Sequence, residues 1–340
     1  MKKVLVIIIT LITPLQTLAF YDTSKSSIVM DIDSGRIIYY NNADKKMLIA
    51  STTKIMTAIV AIENTNLDTK VKVGNEVLKM YGTNIYVEVG EKIKIKDLLY
   101  GLLLRSGNDA SVVIAKAVAG NEKNFVKLMN KKAKEIGMKN TIFKNPHGLD
   151  EKSQNYSTAR DMAILSRYAY KNKVYQKISA TNKYEVSTTK KTYLWYNRNK
   201  LLTNYKFCTG GKNGYTPNAG KTLVSTARRD NLNLTIVSLN DKNSYDNHQK
   251  LYENLFSKYK KYKIISKENF MIDKNFYDGD IYIKRSFYYP LKEKEVNKIR
   301  TQVLIDSSST NKKVGIIKIY LDNLKIGTLK VYKKKKDKSF

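Results

Sequence analysis

The chain of 340 residues contains one cysteine, Cys208, and only four prolines. A single cysteine excludes an intrachain disulfide. Beside Gly210 and Gly211 its thiol reads as a small apolar filler rather than a reactive group. Two histidines, His147 and His248, without a cysteine cluster leave little from which to build a zinc site. Acidic residues are scarce as well, 30 against 62 lysines and arginines, for a formal net charge of +32. The lysines are spread along the chain and are densest at Lys333 to Lys336 and Lys338. With no nucleic-acid recognition motif, the excess reads either as a solvated basic surface or as an attraction to anionic wall polymers or a membrane surface, not as nucleic-acid binding. The low proline count, 42% hydrophobic residues and regular apolar segments exclude a disordered chain.

Long hydrophobic runs are absent except at the start. Lys2 and Lys3 precede the apolar stretch Val4 to Leu11, which leads to small residues at Thr17 and Ala19. That order predicts a secretory signal over residues 1–19, cleaved after Ala19. The run is shorter than the roughly 20 residues of a comfortable spanning helix. The remaining length suits one large domain over 20–257 and a smaller one over 258–340, where the composition shifts to short strands with no long apolar helix. No internal repeat is present.

Residues 27–32 and 36–40 read as strands around the turn Asp33-Ser34-Gly35. Ser51 opens a helix with an apolar stripe at Ile55, Ala58, Ile59 and Ile62. Tyr86 to Val89 reads as a short strand. Helices are expected over 98–104, 110–118, 125–136 (stopped by Gly137) and 157–169. After Gly214 the pattern changes to strands at 222–227 and 232–239, and Leu251 to Tyr259 reads as a closing helix. Strands near 279–284, 303–305, 314–320 and 326–332 form the small β-domain. The resulting class is α+β, an antiparallel sheet flanked by helices and followed by an all-β domain. Arg160 and Asp161 are expected to pair and fix their helix. Trp195 and the stretch Tyr184 to Tyr205 read as groove lining, and His147 as a structural imidazole in a turn.

The strongest chemical signal is Ser51-Thr52-Thr53-Lys54. An i, i+3 spacing on a helix puts hydroxyl and amine on one face. A serine hydroxyl is a weak nucleophile without a base, and Lys54 can be that base where burial and positive neighbours favour its neutral form. Ser51 at a helix start also has terminal N–H groups near the oxygen that becomes negative in acyl transfer. Ser106-Gly107-Asn108 presents a hydroxyl and an amide on a short loop between apolar helices. Lys212-Asn213-Gly214, followed by Tyr215 and Thr216, adds a lysine able to attract a carboxylate and a glycine that permits close backbone approach.

These three clusters, in this order, resemble the S-x-x-K, S-x-N and K-T-G motifs of the low-molecular-mass penicillin-binding proteins, the D-alanyl-D-alanine carboxypeptidases. The likeness continues in Pro146-His147-Gly148-Leu149-Asp150, in Ser157 to Ala163 and in Asn199-Lys200-Leu201-Leu202. It covers roughly 22–257 and, more weakly, 258–340. It implies a penicillin-binding/β-lactamase-like fold and removal of the terminal D-alanine from peptidoglycan stem pentapeptides. Ser51 would be the nucleophile and Lys54 its base. Ser106, helped by Lys212, would pass a proton to the leaving amine, and Asn108 would hold Lys54 and substrate. The N–H groups of Ser51 and Tyr215 would form the oxyanion hole, with Asn213, Gly214 and Thr216 lining the substrate site. β-Lactams would acylate the same serine, and no cofactor or metal is implied.

Two positions depart from that pattern. Asn213 stands where the family has threonine, and the downstream arginine that binds the substrate carboxylate falls at about Ser244, with Lys242 nearby. A wall-associated penicillin-binding protein with little turnover is therefore the alternative. A β-lactamase is disfavoured by the Ser-Gly-Asn triplet and by the lack of a Glu-bearing loop before Lys212. The lysine run has no apolar face to lie in a bilayer, unlike the amphipathic helix that often ends family members. The expected location is outside the cytoplasm, held peripherally at the wall or the outer face of the membrane.

Overall fold

The computed structural model describes residues 22–272, 277, 279–306, 308–309 and 311–334. The expected signal over 1–19 and the end of the lysine run lie outside the described residues.

Five antiparallel strands form the main sheet: β1 (Ser26–Asp31), β2 (Ile37–Asn41), β3 (Cys208–Thr216), β4 (Gly220–Arg229) and β5 (Leu232–Leu239), in the order β2-β1-β5-β4-β3. The central strands are buried on both faces, and their alternation feeds two cores. Ile28, Met30, Val224 and Val237 enter a large helical core on one side. Val29, Leu223, Leu234 and Ile236 face a smaller core on the other. The large core surrounds α1 (Lys54–Asn64), with α2 (Ile95–Tyr100), α3 (Asn108–Ala119), α4 (Glu122–Glu135) and α5 (Ala159–Tyr170) around it. In α1 every residue from Lys54 to Ala61 is buried, so the helix is enclosed rather than amphipathic. The smaller core is closed by α6 (Ser244–Lys258) through Leu251, Tyr252, Leu255 and Phe256.

The expected fold class is observed, with differences that have local causes. Residues 86–89 are not a strand. The Asp109 carboxylate accepts the backbone N–H groups of Ile85, Tyr86 and Val87, which a strand would have turned to a neighbour, and Tyr86 sits in the left-handed region at φ 62°. Conversely, the third cluster lies inside β3, not before the strands. Its start is hidden in sequence by Gly210 and Gly211, both at φ 144°; a Cβ on Gly211 would meet Val224 O at 2.3 Å. Arg160 does not pair with Asp161. Its guanidinium forks onto Asp44 at 2.6 and 2.8 Å, while Asp161 accepts from Asn140 N and Thr141 Oγ1. Trp195 and Tyr193 are buried in the large core rather than lining a groove. Cys208 is half-buried, its thiol pushed up to about 11 by burial.

Beyond α6 the chain builds two small sheets. One pairs β6 (Lys260–Ile265) with β8 (Phe287–Leu291). The other has the order β7-β11-β10-β9, from β7 (Ile281–Ile283), β9 (Ile299–Ile305), β10 (Lys313–Leu321) and β11 (Leu324–Lys333). Arg36 on the β1–β2 turn reaches this region. It donates to both Glu295 oxygens and to Pro290 O and lies over the rings of Tyr259 and Tyr289.

His248 on α6 is fully buried between Ser225 Oγ, 2.7 Å from Nδ1, and Ser238 Oγ, 2.9 Å from Nε2. Burial pushes its pKa from 6.5 down to about 3. Unfolded chains therefore take up a proton near pH 6.5 that the folded protein refuses. The stabilisation is complete above that pH and declines as pH falls toward 3. Urea titrations at pH 7 and pH 5 are expected to show a loss of stability about 2 kcal/mol larger in the wild type than in His248→Asn. Equal losses in the two proteins would remove His248 as the acid-sensitive element.

Candidate active site

Ser51 lies in a 3-10 turn, Ala50–Thr53, that runs directly into α1. With about three residues per turn, positions i and i+3 eclipse, which aligns Ser51 with Lys54 more closely than an α-helix would. The amine of Lys54 is completely buried. It has three oxygen neighbours: Ser51 Oγ at 2.9 Å, Asn108 Oδ1 at 2.8 Å and the carbonyl of His147 at 2.6 Å. Burial first, and then the positive charge of Lys212, hold Lys54 well below its usual range, with Asp109 opposing. A neutral amine has two hydrogens and one lone pair. Asn108 Oδ1 and the His147 carbonyl can only accept, so they take both hydrogens and the lone pair is left facing the Ser51 hydroxyl.

The orientation of Asn108 is itself determined. Its Nδ2 donates to Tyr81 O and its backbone N–H to Thr83 O, both at 2.8 Å. Ser106 ends a π-helical turn, Gly101–Arg105, in left-handed backbone geometry at φ 68°, and is buried. Asp109, next to Asn108, holds the 85–87 segment described above.

Lys212 is buried on β3, and its Nζ donates to Asn213 O at 2.7 Å. Burial, then Arg198, push it down to about 7. The positive charge of Lys212 in turn favours the neutral form of Lys54. The backbone of β3 runs close against the serine turn: a Cβ on Gly214 would lie 2.8 Å from Ser51 N. Tyr215 is 65% exposed. Thr216 is buried, and its hydroxyl is engaged by Asp150 Oδ2 at 2.7 Å and by Ala219 N. Asn213 Oδ1 lies 3.5 Å from Lys212 Nζ.

Two participants were not read as site residues in sequence. The His147 carbonyl is one; the imidazole, driven down to about 3 by burial and by Lys54, stays neutral. Gly148 is the other, at φ 86° against the backbone of Ala50. The Pro-His-Gly stretch signalled a turn, but a backbone acceptor leaves no side-chain signature. Among the described residues, no group of three or more His, Cys, Asp or Glu could hold a metal ion.

Residues 17–243 match the sequence family described as D-alanyl-D-alanine carboxypeptidase, peptidase S11. The chain is 38% identical over 220 residues to the D-alanyl-D-alanine carboxypeptidase DacF of Bacillus subtilis, covering 63% of this chain and 56% of that protein. It thus spans little more than half the length of that relative. Among solved structures, penicillin binding protein 5 from Haemophilus influenzae superposes with a TM-score of 0.77 at 25% identity, covering 92% of this chain and 97% of the other. A D-alanyl-D-alanine carboxypeptidase from Mycobacterium tuberculosis H37Rv gives a TM-score of 0.67 at 30% identity, over 70% and 92% of the two chains.

The tightest backbone contact in the site yields a test. A methyl group at position 148 would sit 2.0 Å from Ala50 O, on a backbone that already requires a positive φ. Neither side of that contact is a flexible side chain, so Gly148→Ala must displace the serine turn. Acylation by a β-lactam, followed by intact-protein mass spectrometry, is expected to slow by at least about 100-fold. A wild-type rate in the folded variant would show that the turn does not depend on this contact.

Proposed function

Because the chain belongs to the D-alanyl-D-alanine carboxypeptidase family, we propose that it removes the terminal D-alanine from peptidoglycan stem peptides through an acyl-enzyme on Ser51. The observation that carries this reading is the buried Lys54 amine, with its lone pair left for the Ser51 hydroxyl. Ser51 Oγ attacks the carbonyl between the two terminal D-alanines while Lys54 takes its proton. The N–H groups of Ser51 and Tyr215 receive the developing oxyanion. The C–N bond then breaks as Ser106 relays a proton, giving its own to the departing amine and taking in exchange the one Lys54 had abstracted, with Lys212 supplying positive charge. Water hydrolyses the ester and returns the serine. Gly214 lets the substrate backbone approach β3, Asn213 lies beside it within the same strand, and Thr216 braces the strand's end through Asp150.

The same serine would be acylated by β-lactams. A second reading, a wall-associated penicillin-binding protein with little turnover, is favoured by one observation: Asn213 stands in the third motif and the Lys212 amine is turned onto its carbonyl. The catalytic unit is placed at 20–257 and the small β-unit at 258–340. The N-terminal signal pattern and the cationic surface support an exported protein, held peripherally at the wall or the outer face of the cytoplasmic membrane.

Incubation with a pentapeptide ending in D-Ala-D-Ala is expected to release D-alanine, and incubation with benzylpenicillin to add one mass adduct at Ser51. Ser51→Ala is expected to abolish both. Lys54→Ala is expected to lower acylation by about 10²–10⁴-fold, the range of general-base catalysis, in a protein that still folds. A penicillin adduct without D-alanine would favour the second reading, and an adduct at Ser106 would overturn the assignment of the nucleophile. Asn213→Thr is expected to change peptide kcat/KM by about 10- to 100-fold and penicillin acylation by less, because a strained ring relies less on remote contacts. Equal changes in the two would remove Asn213 from the peptide site.

A further inference from the structure

We propose that the outer face of α4 is a docking surface for a linear polyol-phosphate polymer. The inference uses the exported location proposed above but not the reaction at Ser51. α4 buries Phe125, Met129 and Ala133 in the large core. Its opposite face carries Lys123, Lys127, Lys131 and Lys134, all exposed. At 3.6 residues per turn these four fall within an arc of about 80°, and at 1.5 Å per residue the row is about 16 Å long. The Asn130 side chain exchanges two hydrogen bonds with the Phe143 backbone, at 2.8 and 2.9 Å. That pairing sets the exposed Lys144 beside the row.

Lysines elsewhere on this surface have carboxylate partners: Lys116 has Glu76, Lys132 has Glu63 and Glu135, and Lys191 has Glu88. Among the described residues, no carboxylate forms such a pair with Lys123, Lys127, Lys131 or Lys134. Glu135 is close enough to feel the charge of Lys131, yet it is bonded to Lys132. Glu122 turns toward His147, its Oε1 3.7 Å from Nε2. Like charges at i, i+4 oppose the helix that carries them. The row therefore holds a standing repulsion, which an anion laid along it relieves.

A polyol-phosphate chain suits this face. It repeats a single charge at short intervals, it bends to follow a row, and each ammonium meets a phosphate as a point charge. Its condensed counterions are released on binding. Other anionic partners fit less well. Phe125, the one aromatic residue of α4, is buried, so the face offers no ring on which a nucleobase could stack. Val126 and Leu128 are half-buried, which leaves no exposed apolar side chain on the helix to enter a bilayer. The location also matters. α4 begins beside His147, whose carbonyl accepts from Lys54, so a polymer on the row passes close to the loop that supports the candidate site.

The test measures binding of an end-labelled synthetic poly(glycerol phosphate) by fluorescence anisotropy across a range of salt concentrations. Wild type is compared with a variant carrying Lys123→Gln, Lys127→Gln, Lys131→Gln and Lys134→Gln. A control removes the same charge from exposed positions of the C-terminal unit, with Lys312→Gln, Lys313→Gln, Lys325→Gln and Lys330→Gln. The α4 variant is expected to bind at least about 10-fold more weakly near 0.1 M salt, with a salt dependence shallower by about 3 in log–log slope. The control is expected to stay within about threefold of wild type. Replacing the same four α4 lysines by arginine should retain binding, and circular dichroism confirms that each variant is folded. Equal losses in the α4 and control variants would show an effect of total charge and overturn the proposal, as would no binding by wild type. Vesicles of phosphatidylglycerol and phosphatidylcholine and a single-stranded DNA are measured in parallel. Loss of vesicle binding alone in the α4 variant, or tighter binding of the DNA than of the polymer by wild type, would also overturn it.

Discussion

The site is organised around one buried nitrogen. Lys54 Nζ is reached by oxygens from three separate parts of the chain: the 3-10 turn, the first residue of α3 and the loop at 146–148. A charged ammonium in that position would carry the full cost of desolvation beside Lys212. A neutral amine satisfies all three neighbours without it. The surrounding structure keeps that geometry. The helix carrying Lys54 is enclosed by apolar contacts and has no face on which to roll. Asn108 is held by two carbonyls of the 81–83 segment, and the Asp109 carboxylate ties down the next few residues of the same segment. Support for one buried amine therefore extends through a large part of the helical core.

What could be read in advance follows the same physics. Ser51 with Lys54, and Ser106 with Asn108, are legible because their chemistry is carried by side chains at short spacing. The β1–β2 hairpin and strands β4 and β5 are legible because alternation feeds two cores. The failures are also specific. Residues 86–89 have strand composition, but a distant carboxylate takes their N–H groups. β3 starts with glycines whose extended positive φ no propensity describes. Arg160 found Asp44, 116 residues away in sequence, rather than its neighbour. Trp195 has a polar handle suited to a groove, yet packs inside. Backbone acceptors such as the His147 carbonyl are invisible in principle, because every residue possesses one.

The sheet places chemistry at its rim. β3 is the edge strand, so one side pairs with β4 while the other runs beside the serine turn. The small sheets beyond α6 approach the opposite end of that strand order, where the β1–β2 turn holds Glu295 and Pro290 through Arg36. The catalytic edge and the attachment of the C-terminal unit are thus separated by the full width of the sheet.

The strand order also bears on how the molecule comes into being. β1 pairs with β5 in a register that sets Ser26 opposite Leu239, so the first strand has no partner on one flank until more than two hundred further residues exist. At roughly 5–20 residues per second, a ribosome takes on the order of 10–50 s to supply that partner. Contacts of such long separation in sequence are also slow to close. During that interval the nascent chain cannot complete its central sheet or enclose α1 against it. A polypeptide with this topology can assemble Ser51, Lys54 and the edge strand beside them only after nearly all of residues 20–257 have been synthesised.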